Sequence, residues 1–332
     1  MSSAHFFFRL GMLLGLLSLA AACNAADKLR TPMTSNDPLI IHRIGRFMVQ
    51  IPESMKVVRR SATLRGRELE EVVITDTQNR IAAYEAIWKQ RVDELQKRPP
   101  PTGKERVVID TKTLDQSNVW TRAVAYYGNT DIPKMAYWDI FSASGNHGLW
   151  VKWKGKESRL EYMLNVSLDV ARAYHPFDSS APSPRPHAFH LEHGYIALPY
   201  LEQEEAYARF EGHPLGLKLR VETKVVHEDE PQDEGLLGRL AAVLSTGFAS
   251  GVDIKKIRTG KREIGGLKGE ETVLRAKSEQ ETDLSFLWRY AGKKDLGDHP
   301  EIVIEIETAD GQLDEKLKLW DAVLNSFKPV AQ

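Results

Sequence analysis

The sequence predicts an α+β protein built of two related α+β domains, each a mostly antiparallel sheet packed with helices. Three observations carry that prediction. Short apolar runs alternate with polar residues and stop at prolines or glycines, the pattern of half-buried antiparallel strands. Apolar residues recur at helical spacing in four stretches, 79–97, 158–174, 233–248 and 313–327. The same order of elements then returns on the far side of a proline- and serine-rich stretch at 178–186.

The chain opens with a targeting signal. Residues 10–22 form an apolar run behind Arg9, too short for a membrane span of ~20 residues. Small residues lead directly to Cys23, the single cysteine, in Leu19-Ala20-Ala21-Ala22-Cys23-Asn24. This stretch resembles a bacterial lipobox, in which the cysteine is diacylated and becomes the new N-terminus, although Ala20 stands where leucine is commonest. Ordinary signal-peptidase cleavage at the same alanines is the other reading, and both export the chain to the periplasm. Asn24 after a lipidated cysteine implies outer-membrane sorting. Residues 1–22 are thus read as signal peptide and 23–38 as a lipidated tether.

A first domain is expected at 39–177. Residues 42–51 read as one strand closed by Pro52, and 69–74 as a second. Ile81, Tyr84, Trp88, Val92 and Leu95 line one helix face, and Pro99-Pro100-Pro101 stops that helix. Strands follow at 107–109, 119–127 and 137–153, the last broken by the turn Ser144-Gly145-Asn146-His147-Gly148. Ser158 opens a helix with Leu160, Met163, Leu164, Ser167, Ala171 and Tyr174 in one stripe. Residues 178–186 read as a linker.

A second domain is expected at 187–332. Strands are predicted at 190–198, 215–226, 254–257, 271–276, 284–290 and 301–307, with a helix at 233–248 and a last one at 313–327. Gly194-Tyr195-Ile196 echoes Gly45-Arg46-Phe47, and Leu287-Trp288 with Tyr290 echoes Leu149-Trp150 with Trp153.

Composition narrows the function. The 332 residues include 45 basic and 46 acidic side chains, are 42% hydrophobic and 27% charged, and carry a net charge of −1. That balance excludes a generic cationic nucleic-acid binder. Gly247-Phe248-Ala249-Ser250-Gly251 sets its serine one place late for a nucleophile elbow and follows a helix instead of opening one. The glycines of 260–269 flank a hairpin turn and form no phosphate loop. His187, His190 and His193 are spaced by three, which on a strand scatters them over both faces and makes no metal site. No catalytic, cofactor-binding or metal-binding residue is singled out. The acidic run Glu228-Asp229-Glu230 has two readings, a solvated loop before a helix or a patch that steers a basic partner. With Asn146 and His147 of the hairpin turn, Glu228, Asp229 and Glu230 are the candidate partner-facing residues.

Several segments resemble a known family. Residues 42–53 (HRIGRFMVQIPE) look like the opening of the type VI secretion lipase immunity proteins (Tle cognate immunity protein, type four). Residues 262–271 (REIGGLKGEE), 286–290 (FLWRY) and 299–302 (HPEI) look like that family's second domain. The resemblance implies a periplasmic protein that binds a cognate secreted phospholipase and stops it degrading the cell's own membranes. It implies no cofactor and no catalytic group, only a rigid surface that blocks the lipase entrance or holds its lid. An envelope lipoprotein of structural, solute-binding or hydrolase type is the competing class.

Overall fold

The computed structural model describes residues 37–116, 119–128, 132, 134–177, 185–230, 235–238, 253–278 and 281–330. The leader with Cys23, most of the 178–186 stretch and all but the start of the 233–248 helix lie outside the described residues; 236–238 are helical.

The first strand expectation is corrected at once. Residues 42–51 are not one strand but a hairpin of β1 (Leu39–Ile44) and β2 (Phe47–Pro52), with Gly45 and Arg46 as its turn. Gly45 has φ +60°, and a Cβ there would lie 3.1 Å from the Ala206 Cβ. Only glycine meets both demands without strain, and it turns the chain where apolar alternation alone reads straight on. The other strands of the first half are β3 (Lys56–Leu64), β4 (Arg67–Val73), β5 (Val108–Thr113), β6 (Trp120–Tyr127), β7 (Met135–Ser144) and β8 (His147–Lys156). Its helices are α1 (Arg80–Gln96), capped by the Asn79 side chain, and α2 (Leu160–Arg172).

After α2 come the short strands β9 (Tyr174–Pro176), β10 (Phe189–His190) and β11 (Gly194–Ile196), which split the single strand expected at 190–198. The second half continues with β12 (Glu205–Glu211), β13 (Lys218–Lys224), β14 (Asp253–Ile264), β15 (Leu267–Lys277), β16 (Thr282–Tyr290) and β17 (Glu301–Ala309). It ends with α3 (Leu313–Ser326) and β18 (Lys328–Pro329). β3 and β12 have no counterpart among the sequence expectations.

Those two strands join the halves. One antiparallel sheet of 12 strands runs β14-β15-β16-β17-β13-β12-β3-β4-β8-β7-β6-β5, and β3 pairs β12 at its centre. Counted outward from that pair, each half has its first, second, sixth, fifth, fourth and third strand in the same order. The duplication read from the sequence is therefore visible in the topology. The echo at Gly45 and Gly194 falls on corresponding hairpins, whereas β8 and β16, which carry the tryptophan echo, do not correspond: β8 matches β17 in order.

The leading hairpins are exchanged between the halves. β2 pairs with β18 after α3, and β11 pairs with β9 after α2. Phe47 stacks on Phe327 with ring centroids 5.2 Å apart, and the Gln50 N–H donates to Ser326 Oγ at 2.8 Å. Each half-sheet of 39–177 and 187–332 thus has its core closed by strands of the other. The two hairpins also touch, through backbone bonds from Gly45 N to His190 O (3.1 Å) and from His190 N to Gly45 O (2.8 Å).

Burial follows the layers. In the first half α2 covers Ala123, Ala125, Trp138, Ile140, Leu149 and Val151, while α1 covers Val124, Tyr126, Phe141 and Trp150. With helices on both faces, β7 is buried along nearly its whole length instead of alternating. In the second half α3 seats Trp320, Val323 and Leu324 against Phe286, Trp288, Ile302, Ile304 and Ile306. There the strands alternate, and their far face carries charge.

Candidate partner-binding surface

The described residues hold no group of three or more His, Cys, Asp or Glu side chains able to bind a metal ion. The three spaced histidines scatter, and only His190 lies in a strand. His187 is exposed with φ +58°, His190 is buried in β10, and His193 sits in the β10–β11 turn.

Two sequence-selected elements nevertheless meet at the seam between the halves. The β7–β8 turn lowers the His147 ring onto His193, with centroids 5.2 Å apart and planes 23° from parallel. Burial, and then the neighbouring His193, hold His147 below its ordinary pKa. Asn146 acts through its backbone, its carbonyl accepting the Ile74 N–H at 2.8 Å.

Beneath this pair lies Glu71 of β4. Its carboxylate accepts the backbone N–H groups of Glu192 (2.8 Å) and His193 (2.9 Å) and the Tyr174 hydroxyl (2.8 Å). Burial raises the Glu71 pKa against these donors and raises Tyr174 as well. Arg60 of β3, half-buried, donates to the Arg43 carbonyl at 3.1 Å and lies 3.8 Å from Glu192. His42 is pushed down to about 4 by burial and by Arg60; His190 falls to about 4 by burial and Arg43. Both rings therefore stay neutral at pH 7.

Arg46, the second residue of the Gly45 turn, makes a bidentate pair with Glu204 just before β12, at 2.7 and 2.6 Å. It also donates to the carbonyls of His187 and of Leu198 (3.2 Å). One fork-shaped side chain thus fixes the first hairpin to three points of the second half.

The acidic run is only partly open to a partner. Glu230 takes a hydrogen bond from Arg289 at 2.6 Å, and that guanidinium also bonds Glu301 at 2.7 Å. Asp229 accepts the Lys294 N–H at 2.9 Å. Glu228 faces solvent. The run therefore folds its own loop with two of its three acids, and it lies apart from the His147–His193 pair in the chain's pairing pattern. Glu71, Arg60 and Glu204 carried no sequence signal: each is one charged residue in an ordinary strand or loop, and only tertiary pairing sets it apart.

Rigid strands, aromatic and arginine side chains, and polar pairs that hold the loops make up this seam. Residues 184–330 match the model of the Tle cognate immunity protein 4 C-terminal domain. No curated protein matches the chain. The fold is similar to that of the apo immunity protein TplEi of the type VI secretion system of Pseudomonas aeruginosa, with TM-score 0.72, 18% identity, and 90% of this chain and 99% of that one covered. It is equally similar to a chain of the Tle4–Tli4 complex crystal structure, with TM-score 0.71, 21% identity and the same coverage. TplEi complexed with an "L" peptide matches at TM-score 0.67 and 20% identity, over 90% of this chain and 100% of that one. These are immunity proteins, and the family is one of immunity proteins, not of enzymes. Residues 184–330 thus match the Tle cognate immunity protein 4 C-terminal domain model, and the chain that carries them has the fold of the type VI secretion immunity proteins.

Proposed function

We propose that this chain is a periplasmic immunity protein that binds and inhibits a cognate type VI secretion phospholipase effector and so protects the producing cell. One observation carries the reading: the immunity-family match at 184–330 sits in a chain whose fold follows, over 90% of its length, a chain of the Tle4–Tli4 complex. Inhibition of this kind needs area and rigidity, not a reacting group. A stable inhibitory contact covers about 800 Å² on each partner, and a continuous sheet with pinned loops presents such an area without ordering cost. Occlusion of the lipase entrance or lid is the mode this reading favours. The mature chain without its lipidated cysteine, residues 24–332, is expected to inhibit its cognate lipase at a 1:1 ratio, with chelator present and no cofactor added. Titration of lipase activity checks this; loss of inhibition on chelation, or no inhibition at any ratio, would overturn it.

The site of action follows from the leader. In this reading Cys23 carries the lipid anchor and residues 24–38 tether the folded part to the membrane. No helix among the described residues is long and apolar enough to cross a membrane. Cys23→Ala is therefore expected to move the protein from the membrane fraction to the soluble periplasm, because two acyl chains supply far more anchoring than the remaining surface. Detergent-phase partitioning that the substitution leaves unchanged would rule the anchor out.

A further inference from the structure

Two histidines sit where the exchanged hairpins meet the centre of the sheet. His42 of β1 is half-buried and packs edge-on against Phe210 of β12, with ring centroids 4.8 Å apart and planes at 69°. His190 of β10 is buried beside Tyr195, centroids 6.0 Å apart, and forms the backbone bridge to Gly45 that joins the two hairpins. Neither ring is placed to carry a second proton. His42 Nε2 is buried and has no hydrogen-bond partner among the described residues. In His190 the same holds for Nδ1, while Nε2 accepts the Arg185 N–H at 3.4 Å, which it does only without a proton of its own. An imidazolium at either place buries a donor with no acceptor.

The charges around both rings are mostly positive. His42 faces Arg60 and Lys56 of β3, with Glu192 of the β10–β11 turn as the opposing carboxylate. His190 faces Arg43 of β1 and Arg46 of the Gly45 turn, and Arg46 is already paired with Glu204. Burial first, and then these cations, hold each ring at about 4 against an ordinary 6.5. A released ring therefore takes up a proton that the closed form refuses. Stability present above pH 6.5 is lost as the pH falls toward 4. The neighbouring groups of the seam divide. His147, lowered by burial and by His193, works in the same direction. Glu71, whose pKa burial raises, favours the closed form as it takes its own proton.

We infer that His42 and His190 form an acid-sensitive latch at the seam: in acid, β1 and the β10–β11 hairpin come away from each other and from β12 while the half-sheets on either side stay folded. β1 is an outer strand of its three-stranded sheet, and β10 is two residues long, so both lean on these contacts more than interior strands do. The latch is a property of this chain alone and does not depend on the immunity reading.

Hydrogen exchange of residues 24–332 at pH 7.5 and pH 5, each amide corrected for its intrinsic exchange rate, tests it. Protection in β1 and β10–β11 is expected to fall about 10- to 30-fold for each ring released, as a pKa near 4 returns to 6.5. β6 and β15 carry no histidine and should keep their protection within about threefold. His42→Gln and His190→Gln each replace a titrating ring by a neutral side chain, and each should remove that ring's share of the fall. The share is a ratio between two pH values within one variant, so it is read even where the substitution lowers overall stability. Should one variant fail to fold, the other decides together with the wild-type profile. His175→Gln, at an exposed position of β9, is the control and should leave the fall unchanged. Equal protection of β1 and β10–β11 at the two pH values would overturn the latch. So would a fall that persists in full in the histidine variants, or one that spreads equally to β6 and β15, the mark of global acid unfolding.

Discussion

Expressed apart, residues 39–177 and 187–332 are expected not to fold, and expressed together to assemble as a 1:1 complex. The reason is the hairpin exchange. In the first fragment Phe47, Val49 and Ile51 are at most 2% exposed in the whole chain, and their cover includes Phe327 and β18. In the second, β11 loses β9, and β12 becomes an unpaired central edge. Burial of one such side chain contributes about 1.5–3 kcal/mol. Three of them approach the whole stability of a domain, about 5–15 kcal/mol. The bare edges of β3 and β12 then favour aggregation over folding. Circular dichroism and urea unfolding of each fragment, with size exclusion of the co-expressed pair, check this. A cooperative unfolding transition in either fragment alone would contradict it.

Much of the fold was legible because local signals and tertiary structure agree. Asn79 and the triple proline bound α1, and Tyr84 and Leu95 of its predicted face are buried, although Ile81 at its first turn is 54% exposed. The turns at Gly145 and at Gly265-Gly266 fall where glycine was read, with positive φ at each. β17 alternates its isoleucines inward as its sequence spells out. β3 was not legible, since Lys56, Arg59 and Arg60 break its apolar run and a bulge opposite Arg209–Phe210 interrupts its period. β12 alternates cleanly but is only 7 residues long. Missing these two hid the continuity of the sheet. The hairpin exchange left no signal at all, because it is set by which half's helix a strand reaches. Of the residues singled out for a partner, His147 proved to be at the seam because it meets His193; no pattern in the chain pairs residues 46 positions apart. Tyr195 was noticed only as part of an echo, and its stacking partners lie on another strand.

Removal of the Glu271 carboxylate is expected to be among the most damaging single changes to the second half. Glu271 of β15 is buried, and one oxygen accepts from Trp320 Nε1 at 2.6 Å, Arg262 at 3.0 Å and Arg258 at 3.2 Å. Asp321 on α3 binds the same two arginines, each at 2.7 Å. The network therefore fixes α3 to β14 and β15, and α3 in turn holds β2 of the other half. Glu271→Ala leaves a buried indole N–H without its acceptor and leaves Asp321 as the one carboxylate between two guanidiniums, so the loss should be about 1–3 kcal/mol. Glu271→Gln keeps an acceptor for the indole and should cost less. Asp321→Ala, which removes a partner 37% exposed to solvent, should cost less again. Urea midpoints with unchanged slopes measure all three. Because α3 carries the exchanged hairpin, amide exchange in β2 should quicken in Glu271→Ala along with exchange in α3. A loss under 1 kcal/mol, or faster exchange confined to β14, would mean that apolar packing of Trp320 alone seats the helix.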